Sequence, residues 1–198
     1  TSVLAEIGSK DLPSPGIPFS PNGNTNSLGE DDLTQLFYYQ DEINAAGYVY
    51  GMTYTYQNLQ SSTDIKKYPL KVWISQTDRE NMSAGWDDQD NLQLVFDGVV
   101  DIFPGGDNEL YIPFDEPVLL NGINNVIIQN YQYDPEWPPS IFRMYTTNTA
   151  EGPVRTIGSL DVFDLDPNTP PDGFFSITDY VFTRFVIDPA NNFSAMFG

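Results

Sequence analysis

Between Tyr48 and Tyr56 the chain alternates without a break: Tyr48, Tyr50, Met52, Tyr54 and Tyr56 share one side of an extended backbone, and Val49, Gly51, Thr53 and Thr55 the other. Successive side chains of a strand point to opposite faces, so this period of two describes a strand with an aromatic face turned toward a core. A helical period of 3.6 would scatter the same tyrosines around a cylinder. Similar short runs rich in Val, Ile, Tyr, Phe and Thr recur along the chain between clusters of Gly, Pro, Asn and Asp. Strands are expected near Val3 to Ile7, Leu33 to Tyr39, Tyr48 to Tyr56, Leu70 to Gln76, Leu92 to Phe103, Glu109 to Phe114, Asn125 to Tyr133, Ile141 to Thr147, Arg155 to Val162 and Phe175 to Ile187. About ten strands with no helical stretch predict an all-β fold, a two-sheet β-sandwich.

Leu70, Val72 and Ile74 alternate with Lys71, Trp73 and Ser75, so Trp73 either packs on the far side of its sheet or stands exposed. Gly105-Gly106-Asp107-Asn108 reads as a tight hairpin and Asn121-Gly122 as another turn. Two stretches are too proline-rich for strands: Gly8 to Gly29, and Asp164 to Gly173. Neither separates regions of different composition, so residues 1–198 are expected to form one domain. Its N-terminal part, 1–29, is a strand plus a Pro/Gly-rich segment, and 189–198 is a tail. Sandwiches of about 200 to 250 residues are common as single domains.

Chemistry is bounded by two absences: the 198 residues include neither histidine nor cysteine. Without them there is no imidazole general base, no Ser-His-acid relay, no thiolate nucleophile and no soft-ligand metal site. Phosphate loops, zinc motifs and serine elbows are missing from the sequence, and no motif singles out a catalytic pair among the 28 Asp and Glu residues. The expectation is a protein that is not an enzyme. Against 8 Lys and Arg, the acidic excess gives a net charge of -20, which repels nucleic acid and anionic membranes and favours cations. No apolar stretch approaches a membrane span, so membrane insertion is not expected. Thr1 to Ile7 lacks the basic and long apolar regions of a signal peptide, so a secreted form would be mature or a fragment.

The best cation candidate is the run Asp164 to Gly173, where Asp164, Asp166, Asn168 and Asp172 could offer oxygens to Ca²⁺. It lacks the Gly and Glu of an EF-hand loop, and the competing reading is a proline-stiffened connection with Asx turns. Asp87-Asp88-Gln89-Asp90 is a second acidic group, usually a solvated loop, and Glu6 and Asp188 are weaker cation candidates if the first and last strands are adjacent. Trp86 and Trp137 lie in loop-like sequence where planar rings could stack on glycans, with Tyr131 and Tyr133 extending the platform; the alternative is ordinary packing. Finally, Val3, Leu4 and Ile7 form a short apolar strand followed by a long loop-like segment, an arrangement able to add to another copy's sheet and build fibres. Pairing within its own sandwich is the alternative.

Several segments in order resemble a family of secreted Bacteroidetes β-sandwich modules described as cleaved-adhesin-like. They are Ile7-Gly8-Ser9 with the Pro-rich stretch after it, Leu36 to Ile43, Leu70 to Thr77, Met82 to Trp86, Leu94 to Val100, Leu110 to Val118, Asn124 to Ile128 and Phe142 to Tyr145. The Gly105 to Asn108 hairpin and the Asp188 to Gly198 tail depart from the pattern. The resemblance implies a jelly-roll sandwich, an extracellular or cell-surface location, and adhesion, carbohydrate binding or assembly with other copies or surface proteins. It carries over no catalytic residue.

Overall fold

The computed structural model describes residues 2–10, 12–15, 32–58, 63–132, 142–147, 149, 151–159, 165–172 and 174–189. Its strands are β1 (Val3–Ile7), β2 (Leu12–Pro15), β3 (Asp32–Tyr38), β4 (Gly47–Asn58), β5 (Lys66–Thr77), β6 (Gln93–Ile102), β7 (Gly106–Leu120), β8 (Asn125–Gln132), β9 (Phe142–Thr147), β10 (Thr156–Gly158), β11 (Phe175–Ile177), β12 (Tyr180–Val181) and β13 (Thr183–Pro189). A single turn of helix, α1 (Gln40–Ile43), follows β3. One sheet of seven strands runs β1-β13-β4-β9-β12, with β7 on the other side of β4 and β2 on β9. The second, of six strands, runs β11-β10-β3-β8-β5-β6. All pairings are antiparallel, as expected for a two-sheet sandwich.

The core lies between the sheets. Ile7, Met52, Tyr54, Tyr56, Phe185 and Ile187 enter it from the larger sheet, and Leu36, Tyr38, Leu70, Val72, Ile74, Val126 and Ile128 from the smaller. Burying a phenol without a partner for its hydroxyl is costly, and here the hydroxyls bridge the sheets. Tyr38 contacts Thr183 Oγ1 at 2.6 Å, and Tyr54 donates to Asn130 Oδ1 at 3.2 Å. Desolvation raises the pKa of both tyrosines.

The alternation in β4 is interrupted by a bulge. Register against β13 and β7 shifts between Val49 and Gly51, so Val49 and Met52 both turn inward although they are three positions apart. Tyr48 and Tyr50 are therefore exposed, while Tyr54 and Tyr56 are buried as the period predicts. The Pro-rich stretch expected to be irregular contains β2, whose prolines sit on an outer strand where a missing N–H is tolerated. Phe175 to Ile187, expected as one strand, is divided into β11, β12 and β13. Gly105 and Gly106 take φ of 71° and 67°, the left-handed conformation the hairpin reading requires.

The part of the outer face of the six-stranded sheet that spans β10, β3, β8 and the Trp73 end of β5 is itself buried. Trp73 packs there with Leu33, Tyr131 and Leu165, which settles its side of the sheet. Beside them Phe37, Met82, Ile127 and Ile157 form a second cluster, and Trp86 and Leu92 pack against both. Polar groups beneath this cover are paired: Gln35 Nε2 donates to Gln129 Oε1 at 2.8 Å, the Asp87 N–H donates to Gln35 Oε1 at 2.8 Å, and Ser75 Oγ donates to Asp87 Oδ2 at 3.1 Å. At the end of β3, Arg155 makes two hydrogen bonds to the Glu42 carboxylate, at 3.1 and 2.6 Å, with its guanidinium 3.8 Å from the Tyr180 ring centroid.

Candidate functional site

The first strand is built into the sandwich, and among the described residues no strand pairs with its far side. β1 pairs along its whole length with β13, from Val3 opposite Ile187 to Ile7 opposite Thr183. Alternation sends Ala5 and Ile7 into the core, Ile7 with no exposed surface, while Val3 and Leu4 are 42% and 60% exposed. Gly8 then turns the chain at φ 87°, where a Cβ would fall 2.2 Å from Thr147 Oγ1, so both conformation and space call for glycine. The Ser9 N–H donates to that hydroxyl at 2.7 Å. The first and last strands are adjacent as expected, but Glu6 stands opposite Arg184 rather than beside Asp188.

Outer strands of a sheet expose unpaired N–H and C=O groups, and proteins usually guard them with proline, charge, bulges or brevity. β7 carries Pro113 and Pro117 and a register break opposite Tyr50, and β2 carries Pro13 and Pro15. On β6, Asp97 and Asp101 pair with Lys71 and Lys67. β11 is three residues long and β12 two. β1 has no proline, no bulge and a single charge, Glu6.

The expected calcium loop is partly described. Asp166 Oδ1 accepts from the backbone N–H and side-chain amide of Asn168, both at 2.9 Å, and Oδ2 accepts from Thr169 Oγ1 at 3.1 Å. These bonds form an Asx turn, and the Asn168 N–H first among them holds the Asp166 pKa below the usual carboxylate value. Asp172 is exposed, and Asp164 lies outside the described residues. Among the described residues no group of three Asp or Glu converges on a metal-sized space. In the second acidic run, Asp87 is buried against Ser75, and Asp88 caps a 3-10 turn by accepting from the Asp90 N–H.

The two described members of the expected aromatic platform, Tyr131 and Trp86, pack in the same cover over the six-stranded sheet. Tyr131 is buried at 8% exposure, its hydroxyl donating to Leu165 O at 2.9 Å, so it offers no ring face for stacking. Trp86 is half-buried, donates to Pro171 O at 2.9 Å and meets the Phe174 ring edge-on. Packing explains both rings. Trp137 and Tyr133 lie outside the described residues.

A feature absent from the sequence reading is a cleft of about 410 Å³ between the edges of the two sheets, where β6 and β7 flank the Phe103 turn. Phe96, Val99, Phe103, Leu110, Tyr111 and Pro113 line it, with Lys67, Asp101 and Glu109 at its margin. The sequence shows only an apolar Phe103 beside the Gly105-Gly106 turn, which by itself does not reveal that two sheet edges meet there. Comparison with protein-family models and with curated proteins finds no match, so the adhesin-like resemblance rests on the quoted segments alone.

Proposed function

We propose that this chain is an extracellular, non-catalytic adhesive or structural module that assembles into filaments by donating β1 to a neighbouring copy. The observation that carries this reading is the pairing of two properties in one strand: β1 fills the core with Ala5 and Ile7, yet its outer edge lacks the guards found on β2, β6 and β7. A slot beside β13 that accepts β1 from its own chain accepts the identical strand from another copy with the same contacts, the physical basis of strand exchange. Such a contact is heterologous and propagates head to tail.

The tether limits the geometry. Only residues 8–11 separate β1 from β2, a reach of at most about 18 Å over the five steps from Ile7 to Leu12, so the receiving sandwich must dock beside β2 and β9. Each copy carries a charge of -20, so close approach depends on screening by salt or cations. The extracellular location follows the family resemblance. Electron microscopy of the purified chain is expected to show regular fibres that disappear when residues 1–8 are deleted. Isolated particles from the full chain, or fibres indifferent to the deletion, would sink the proposal.

A further inference from the structure

We propose that the cleft between β6 and β7 is a binding site for a neutral oligosaccharide, a function independent of whether the chain polymerises. Small-ligand sites are concavities of roughly 300 to 1,000 Å³ that combine apolar walls with polar groups, and this open cleft of about 410 Å³ falls in that range. Its two most prominent rings are exposed, Phe103 at 44% and Tyr111 at 50%. Sugar rings present flat C–H faces that stack on such aromatics.

Both rings are held by the framework rather than by flexible loop. The Phe103 backbone is gripped from β4: its N–H donates to Tyr56 Oη at 2.8 Å, and Asn58 Nδ2 donates to its carbonyl at 2.8 Å. The tip of Tyr111 lies over Gly51, where a Cβ would stand 2.7 Å from the hydroxyl and 2.9 Å from Cε2. A ring seated over a glycine of the adjacent strand has little freedom to turn away, and preorganised contacts lower the entropic cost of binding.

The polar margin selects the ligand class. Lys67 with Asp101 at 2.5 Å, and Glu109 with Arg184 at 2.5 Å, cancel charge locally in a strongly acidic chain. Lys67 is 72% exposed at its side chain and supplies hydrogen-bond donors, while Asp101 and Glu109 supply acceptors. A ligand offering hydroxyls that both donate and accept, with apolar faces and no net charge, matches these groups. Polyanions meet the acidic surround instead.

The intact chain, run in native gels containing hydroxyethyl cellulose, xylan or mannan, is expected to be retarded by at least one of them. Phe103→Ala should weaken that retention at least about tenfold, as removal of an aromatic anchor does in a small site. Tyr48→Ala, which removes an exposed ring outside the cleft, should leave it unchanged. Tyr111→Leu should act like Phe103→Ala; if its melting curve shows misfolding, Phe103→Ala alone decides, since that ring is exposed. Retention by none of the three glycans, retention untouched by Phe103→Ala, or preferential binding of polylysine would each overturn the proposal.

Discussion

The two long sides of the seven-stranded sheet solve the same problem in opposite ways. β7 is fifteen residues long, interrupted by Pro113 and Pro117, and its register against β4 jumps from Val118 to Pro113 across a single residue, Tyr50. It blocks strand addition and becomes a wall of the cleft. β1 is five residues long, regular along β13 and apolar at its exposed end. Among the described residues no strand pairs with the outer side of β1, and its sequence carries none of the guards that β7 has. The guarded side is also where the exposed rings are fixed in place.

The largest effect expected to sharpen this contrast comes from emptying the core beneath each edge. Ile7→Ala and Ile112→Ala both remove a side chain with no exposed surface and should each cost about 2 to 5 kcal/mol in urea unfolding. The edges then differ in concentration dependence. If β1 is exchanged between copies, wild-type stability rises with protein concentration and Ile7→Ala weakens assembly as well as folding; equal behaviour of the two variants at all concentrations would break the comparison.

Alkaline pH acts on the strand between the edges. Burial raises the pKa values of Tyr54 and Tyr56 on β4, and of Tyr38 on β3 in the facing sheet, above the ordinary tyrosine value of about 10, so the folded state holds their protons more tightly than the unfolded chain. Their contribution is fully present below that unfolded value and is lost as pH rises through the folded ones. Thermal melts should therefore hold up to about pH 10 and fall steeply above it. A flat profile through that range would contradict the packing described for β4.

Smaller changes test the edges themselves. Val3→Lys with Leu4→Lys places charges at exposed positions of β1; a donated strand makes the same contacts as a retained one, so folding stability should move by no more than about 0.5 kcal/mol and fibres should persist, whereas loss of fibres would show that the outer edge of β1 rather than its exchange makes the contact. The mildest perturbation is ionic strength: raising salt from about 10 to 150 mM should promote assembly by shortening the screening length from roughly 30 to 8 Å, with turbidity as the readout. Assembly that weakens with salt would point to ion pairs rather than strand donation.

How much of this was legible in the sequence depends on the range over which each feature is decided. Strand positions and the Gly105-Gly106 hairpin follow from local pattern, and β1 was read to its end residues. The bulge in β4 was not legible, because Tyr48 to Tyr56 alternates perfectly by itself and only the registers of β13 and β7 reveal the shift. β2 was hidden because proline marks a loop unless the strand's outer position is known. Among the candidate sites, Tyr131 and Trp86 were read as possible platforms because an aromatic ring serves core and surface equally well; the covering chain around Leu165, Pro171 and Phe174 decides the matter. The cleft depends on the edges of two different sheets meeting, which no local pattern encodes.

Strand donation can be read directly from a cysteine trap, since the chain has no cysteine of its own. Leu4 and Val186 are opposite one another across β1 and β13, and Leu4→Cys with Val186→Cys should form a disulfide wherever that pairing exists. In assembled, oxidised material on a non-reducing denaturing gel, donation between copies predicts a ladder of covalent multimers that collapses to monomer on reduction. Fibres that yield only internally crosslinked monomer would show that each β1 stays in its own sandwich, contradicting the account.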